Sequence, residues 1–267
     1  MICKAVIIGG KINFARRCSG FLYCGLIFIL ASCARVPVQK TGPYPDSLPV
    51  QMLPVPRHDV IHTIAPGETL WRVSKMYDVG MKDIIKANGL PASAKLKMGQ
   101  KLVIPRAAPL KPIIPLYHSR KWKYIIVHHS ATEEDSALSL FKMHLRRGFS
   151  NGLGYHFVIA NGTCGKKNGQ IEVSPRWIKQ EDGAHCKVSN MNSQGIGVCL
   201  VGNFSEEDVS DEQLDALVYT VATLKKYYSI PFNHIKGHGQ VAGAKTECPG
   251  KLFPYSEFFS RLKKALD

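Results

Sequence analysis

The chain has 267 residues, room for about two domains. Hydrophobic residues make up 45% and charged residues 21%, which excludes a wholly disordered, collagen-like or polytopic membrane protein. Lys and Arg number 35 against 20 Asp and Glu, a formal +15 that favours an acidic partner: nucleic acid, anionic lipid or an anionic cell-wall polymer.

The N-terminus carries an address. Lys4, Lys11, Arg16 and Arg17 form a basic head before an apolar run from Phe21 to Ala31. A membrane-spanning helix needs ~20 apolar residues, so this shorter run suits the hydrophobic part of a secretory signal. It ends in Leu30-Ala31-Ser32-Cys33, which resembles a bacterial lipobox. The resemblance implies a lipoprotein signal peptide over 1–32, lipidation of Cys33, and an exported protein anchored in the membrane of the cell envelope. Ala34 after the cysteine is similar to a sorting signal for the outer membrane, facing the periplasm, in a cell with two membranes. Export argues against nucleic acid and makes the envelope itself the acidic partner.

Residues 33–61 hold six prolines (Pro37, Pro43, Pro45, Pro49, Pro54 and Pro56) and read as a semi-extended linker. Residues 106–119, with Pro109, Pro112 and Pro115, read as a second linker. Between them lies a compact block, 62–105. Short strands at Thr63-Ile64 and Lys101 to Ile104 bracket two short helices, and Leu70, Val73 and Tyr77 share one face of the first. Asn88-Gly89 closes the second helix. The words Pro-Gly-Glu-Thr-Leu-Trp (66–71) and Met-Gly-Gln-Lys-Leu-Val-Ile-Pro (98–105) resemble the lysin motif (LysM), a βααβ module. The resemblance implies binding of N-acetylglucosamine between the loops 66–70 and 90–98, with Gly67, Glu68 and Thr69 as substrate contacts; Leu70 and Trp71 read simply as core residues.

Residues 120–267 alternate strands and helices around one core, an α/β pattern. The β-branched run Tyr124 to Val127 predicts a buried strand delivering His128 and His129 at its end. Glu134 to Arg147 reads as a helix, Gly154 to Ile159 and Gly195 to Val201 as strands, and Tyr255 to Leu266 as a terminal helix. A long helix follows Ser210, its N-cap, with Gln213 completing a capping box. Leu214, Leu217, Val218, Val221, Leu224 and Tyr228 form its apolar stripe.

A zinc hydrolase needs three protein ligands and one open position. His128, His238 and Cys248 are suitable types beside a strand end or a glycine-containing loop. Adjacent strand residues face opposite ways, so His128 and His129 should not share one ion. Spacing alone is weak support, because 110 residues separate His128 from His238.

The surrounding words are more specific. Ile-Ile-Val-His-His-Ser-Ala-Thr, Gly-Tyr-His-Phe-Val-Ile, Gly-Ala-His-Cys, Gly-Ile-Gly-Val-Cys-Leu-Val-Gly-Asn-Phe and Lys-Thr-Glu-Cys-Pro-Gly occur in order. Together they resemble the zinc-dependent N-acetylmuramoyl-L-alanine amidases of the phage-lysozyme and peptidoglycan-recognition-protein superfamily. The resemblance implies a mixed central β-sheet flanked by helices, preceded here by the LysM domain. It implies Zn2+ held by His128, His238 and Cys248, and hydrolysis of the amide joining N-acetylmuramic acid to L-alanine of the peptidoglycan stem peptide. Tyr155 matches the family's catalytic tyrosine and His185 a substrate-cleft histidine. Some relatives carry a catalytic glutamate where this chain has Cys199, which shifts the base role to Tyr155. Thr246 is favoured as oxyanion partner, with Lys245 kept beside it. Asn203 reads as a turn residue, and His129, His144, His156 and His234 as packing or surface. A Cys164–Cys186 disulfide and any protein partner stay open. The competing expectation is a recognition or wall-tethering lipoprotein that binds peptidoglycan without cutting it.

Overall fold

The computed structural model describes residues 56–267. The signal segment, Cys33 and most of the first linker lie outside the described residues. The first module is built from β1 (His58–Thr63), α1 (Leu70–Tyr77), α2 (Met81–Ala87) and β2 (Lys101–Ala107), the two strands pairing antiparallel. Val73, Met76, Tyr77, Ile84, Leu102 and Ile104 form its core. Both strands run past their expected ends: β1 begins at His58, inside the expected spacer, and β2 continues through Pro105. An edge position tolerates that proline, since its missing N–H removes no ladder bond. Trp71 departs from its expected place in the core: it is 49% exposed, while the next residue, Arg72, is buried.

The second linker is packed rather than free. The backbone N–H groups of Ala108 and Lys111 donate to the carbonyls of Tyr77 and Met76. Leu110 and Ile113 pack on the first module's core, and Ile114, Leu116 and Tyr117 pack on the second's.

The large module has five strands: β3 (Tyr124–His129), β4 (Phe157–Asn161), β5 (Asn168–Val173), β6 (Gly195–Leu200) and β7 (Ile235–Gly237). Their order is β5-β4-β6-β3-β7, with β5 antiparallel to β4 and the other neighbours parallel. The sheet is therefore mixed, and helices flank it. On one face α6 (Asp211–Tyr228) and α7 (Tyr255–Leu266) bury Ile125, Val127, Ile196 and Val198 against Leu217, Val221 and Phe258. On the other, α3 (Ala137–Arg146) covers Val158, and α5 (Met191–Gln194) lies near Ile126; α4 (Pro175–Lys179) follows β5. The strict alternation along β3 sends Ile126 and His128 to one side and Ile125, Val127 and His129 to the other.

Local differences from expectation have local causes. Helix α3 starts at Ala137, three residues late, because Ser136 and Ser139 form a reciprocal cap there. Ser210 caps α6 as expected, its hydroxyl accepting from Gln213 N at 3.3 Å. The Gln213 side chain does not complete the box; it turns inward and donates to Val201 O at 2.7 Å. Strands β5 and β7 and helix α4 had no periodic signal, being only three to six residues long. Cys164, Cys186, Cys199 and Cys248 are all free thiols, so Cys164 and Cys186 are unpaired.

Candidate active site

Three chain segments meet at the C-terminal edge of β3. The strand ends at His128–His129; β7 runs parallel beside it and releases His238; the loop before α7 brings back Cys248. Gly239 permits that return: a Cβ there would lie 2.5 Å from Thr246 O, and its N–H donates to Cys248 O at 2.7 Å. One side-chain donor atom from each of His128, His238 and Cys248 lies within 4.8 Å of the others. His128 Nδ1 is 3.6 Å from Cys248 Sγ, and the His128 and His238 rings are 4.7 Å apart. His129 points away, where its Nδ1 accepts from Phe204 N at 3.2 Å.

Burial sets the charge state of this cluster. It holds His128 well below the ordinary imidazole range, with the neighbouring His185 and His238 adding to the effect, and it lowers His238 as well. Both rings are thus neutral and offer lone pairs. Burial also pushes the Cys248 thiol up to about 12. Two neutral imidazoles and a thiol, converging without a carboxylate, fit a borderline-soft divalent cation such as zinc. A cation would release the thiol proton that burial otherwise retains.

Tyr155 enters just before β4, its ring 5.2 Å from that of His128. Burial, with Cys199 and Cys248 nearby, raises its phenol well above the usual range, so the O–H keeps its proton at neutral pH. Cys199 is fully buried in β6, where burial likewise raises its thiol. Thr246 and Lys245 are exposed on the returning loop, and Thr246 Oγ1 accepts from Cys248 N at 3.1 Å. A cleft of about 370 Å³ opens beside the cluster, lined by Phe149, His185, Lys187, His238, Lys245 and Thr246. A larger depression of about 720 Å³ on the first module, among Arg57, Asp78, Asp83, Lys86 and Arg106, shares no residue with the cluster.

Three further histidines make backbone or packing contacts. His144 accepts from Gly154 N, His156 from Gly197 N, and His234 packs flat on Tyr124. Asn203 closes a turn, its carbonyl accepting from Glu206 N and Glu207 N.

The loop 66–70 differs from expectation. Glu68 is turned inward: one carboxylate oxygen lies 2.7 Å from His62 Nε2 and accepts from Ala65 N, and the other accepts from Arg72. Burial opposes its charge, but the His62 hydrogen bond and the neighbouring cations outweigh burial and lower its pKa to about 2. Thr69 caps α1 by accepting from Arg72 N. Gly67 sits at φ +75°, and a Cβ there would come within 3.2 Å of Pro175 of the large module. The polar side chains of this loop thus serve the fold, and its turn abuts α4.

The family model for N-acetylmuramoyl-L-alanine amidase matches residues 118–251, and that for the LysM domain matches 62–105. The chain belongs to the N-acetylmuramoyl-L-alanine amidase family. It is similar to peptidoglycan-recognition protein 2 of Holotrichia diomphalia, 32% identical over 108 residues, 38% of this chain and 52% of that protein. It therefore spans about half the length of that relative. A peptidoglycan recognition protein of Trichoplusia ni is 26% identical over 53% of this chain and 76% of its own length. Among solved structures, an N-acetylmuramoyl-L-alanine amidase from Clostridium intestinale URNW is 29% identical, covering 58% of this chain and 95% of that one, with a TM-score of 0.46.

Proposed function

We propose that this protein is a zinc-dependent peptidoglycan amidase that cleaves the bond between N-acetylmuramic acid and L-alanine of the stem peptide. The observation that carries the reading is the convergence of His128, His238 and Cys248 beside an open cleft, inside the segment that matches the amidase family. Bound zinc supplies a Lewis acid that polarises a carbonyl and acidifies water. The chain's own groups do the rest. Tyr155 holds its proton and is available as an O–H donor where negative charge develops on the amide oxygen. Thr246 and Lys245 line the cleft with His238 and offer a second donor. Lys187 and Lys245 give the cleft cationic walls suited to the carboxylates of a stem peptide.

The LysM domain and the lipobox support a wall-facing protein held by acyl chains on Cys33, in the outer membrane where the cell has two. A lipid anchor together with a glycan-binding module raises the local concentration of the polymer.

The test is mass spectrometry of purified peptidoglycan digested by the full chain, with zinc, with chelator, and as Cys248→Ala. The expected result is stem peptides with a free L-alanine amino terminus, abolished by chelator and by the substitution. Intact peptidoglycan in every arm, with binding retained, would instead make the protein a recognition tether.

A further inference from the structure

His185, expected to contact substrate, is buried and its ring is engaged at both nitrogens. Its Nε2 lies 3.2 Å from Gly195 O, and its Nδ1 lies 3.0 Å from His128 Nε2. A carbonyl oxygen can only accept, so the His185 proton sits on Nε2 and the bare nitrogen is Nδ1. His128 must then donate from Nε2. Its remaining lone pair is on Nδ1, the atom 3.6 Å from Cys248 Sγ. Proton placement in the cluster is thus dictated from a backbone carbonyl through two imidazoles.

The slot for this ring is purpose-shaped. A Cβ on Gly183 would come within 2.3 Å of His185 Cδ2, and one on Gly197 within 2.5 Å. The backbone N–H groups of His185 and Cys186 both donate to Asn192 Oδ1, at 2.8 and 2.7 Å. We infer that His185 is a positioning residue: it fixes the tautomer and ring orientation of His128 so that Nδ1 faces the metal position. Metal-bound histidines usually direct their other N–H at a carboxylate, a carbonyl or water. Here a second histidine takes that place and passes the constraint to Gly195. The inference rests on the zinc reading above.

The experiment measures zinc affinity of the full chain by competition with a chromophoric chelator, for the parent, His185→Ala, His185→Leu and His185→Asn. Melting of each metal-free protein is followed in parallel. Leu fills space without an acceptor, whereas Asn retains an oxygen near the Nδ1 position. The expected outcome is zinc affinity weaker by about 10–100-fold in the Ala and Leu proteins. The Asn protein should recover most of it, with the visible spectrum of cobalt in the site shifting for Leu and returning for Asn. Zinc affinity of the Leu protein equal to the parent's, or no advantage of Asn over Leu, overturns the inference. So does a raised KM with unchanged zinc affinity, which would restore a substrate-contacting role, and so does loss of the fold in all three variants, which would make the residue a packing element. A parent chain that binds no zinc would sink the amidase reading as well; a parent that binds while Leu is silent sinks this inference alone.

Discussion

At the scale of single residues, Tyr155 and Glu68 illustrate two fates of a buried polar group. The Tyr155 phenol faces the cluster and is pushed upward by burial. Tyr155→Phe should therefore leave zinc binding intact and lower turnover on peptidoglycan by about 10²–10⁴-fold, the usual scale for losing a positioned acid–base group. Zinc stoichiometry and kcat measured on one preparation check this. Glu68 is pulled down, from 4.5 to about 2, by its hydrogen bond to His62 and the charge of Arg72. A depressed folded-state value contributes stability that is complete above about 4.5 and lost as pH falls through about 2. The melting temperature of the full chain should drop across that window, and Glu68→Gln should flatten this part of the profile. His128, His238, Cys248 and Tyr155 were legible in the sequence because their neighbouring words are distinctive. The roles of Glu68 and His185 were not, since each depends on a partner that folding brings to it.

Among the elements, the long helices announced themselves and the short pieces did not. Helix α6 has 18 residues and a stripe of buried leucines and valines; α7 begins and ends where its pattern does. A three-residue strand such as β7 is too short to carry a period, and only its pairing with β3 defines it. Gln213 shows how tertiary demand overrides a local motif. Its amide leaves the cap to satisfy Val201 O at the end of β6, a buried carbonyl that would otherwise go unpaired. Gln213→Leu should cost about 1–3 kcal/mol in chemical denaturation. Ser210→Ala should cost about 0.5–2 kcal/mol through the lost N-cap, with the hydroxyl's bond to Asn168 Oδ1 lost as well.

For the whole molecule, the decisive feature is how the LysM module meets the amidase-family one. Arg72 donates to Ile171 O on the edge strand β5 at 2.8 Å and to Ile113 O at 3.2 Å, while pairing with Glu68. In return Lys166 donates to Thr63 O at 3.0 Å and pairs with Glu172, whose other oxygen accepts from Ala137 N at the start of α3. These charges are buried, so removing one partner strands another. Arg72→Ala should destabilise the full chain by about 3–5 kcal/mol, read as a shift in denaturation midpoint. An excised 106–267 fragment should melt below the full chain, because it bares β5 and leaves Lys166 without its carbonyl. A fragment as stable as the full chain in calorimetry would mean the contact contributes nothing.

The sequence by itself determined the module types and the identities of the candidate ligands. Those properties live in contiguous words: a strand run ending in His-His and a cysteine between glutamate and proline. What the tertiary structure alone decided are the partnerships. The docking of Arg72 on β5 and the chain from Gly195 through His185 to His128 join residues 10 to 99 positions apart. No local period encodes such pairs; they follow from which buried donors and acceptors the fold leaves facing one another.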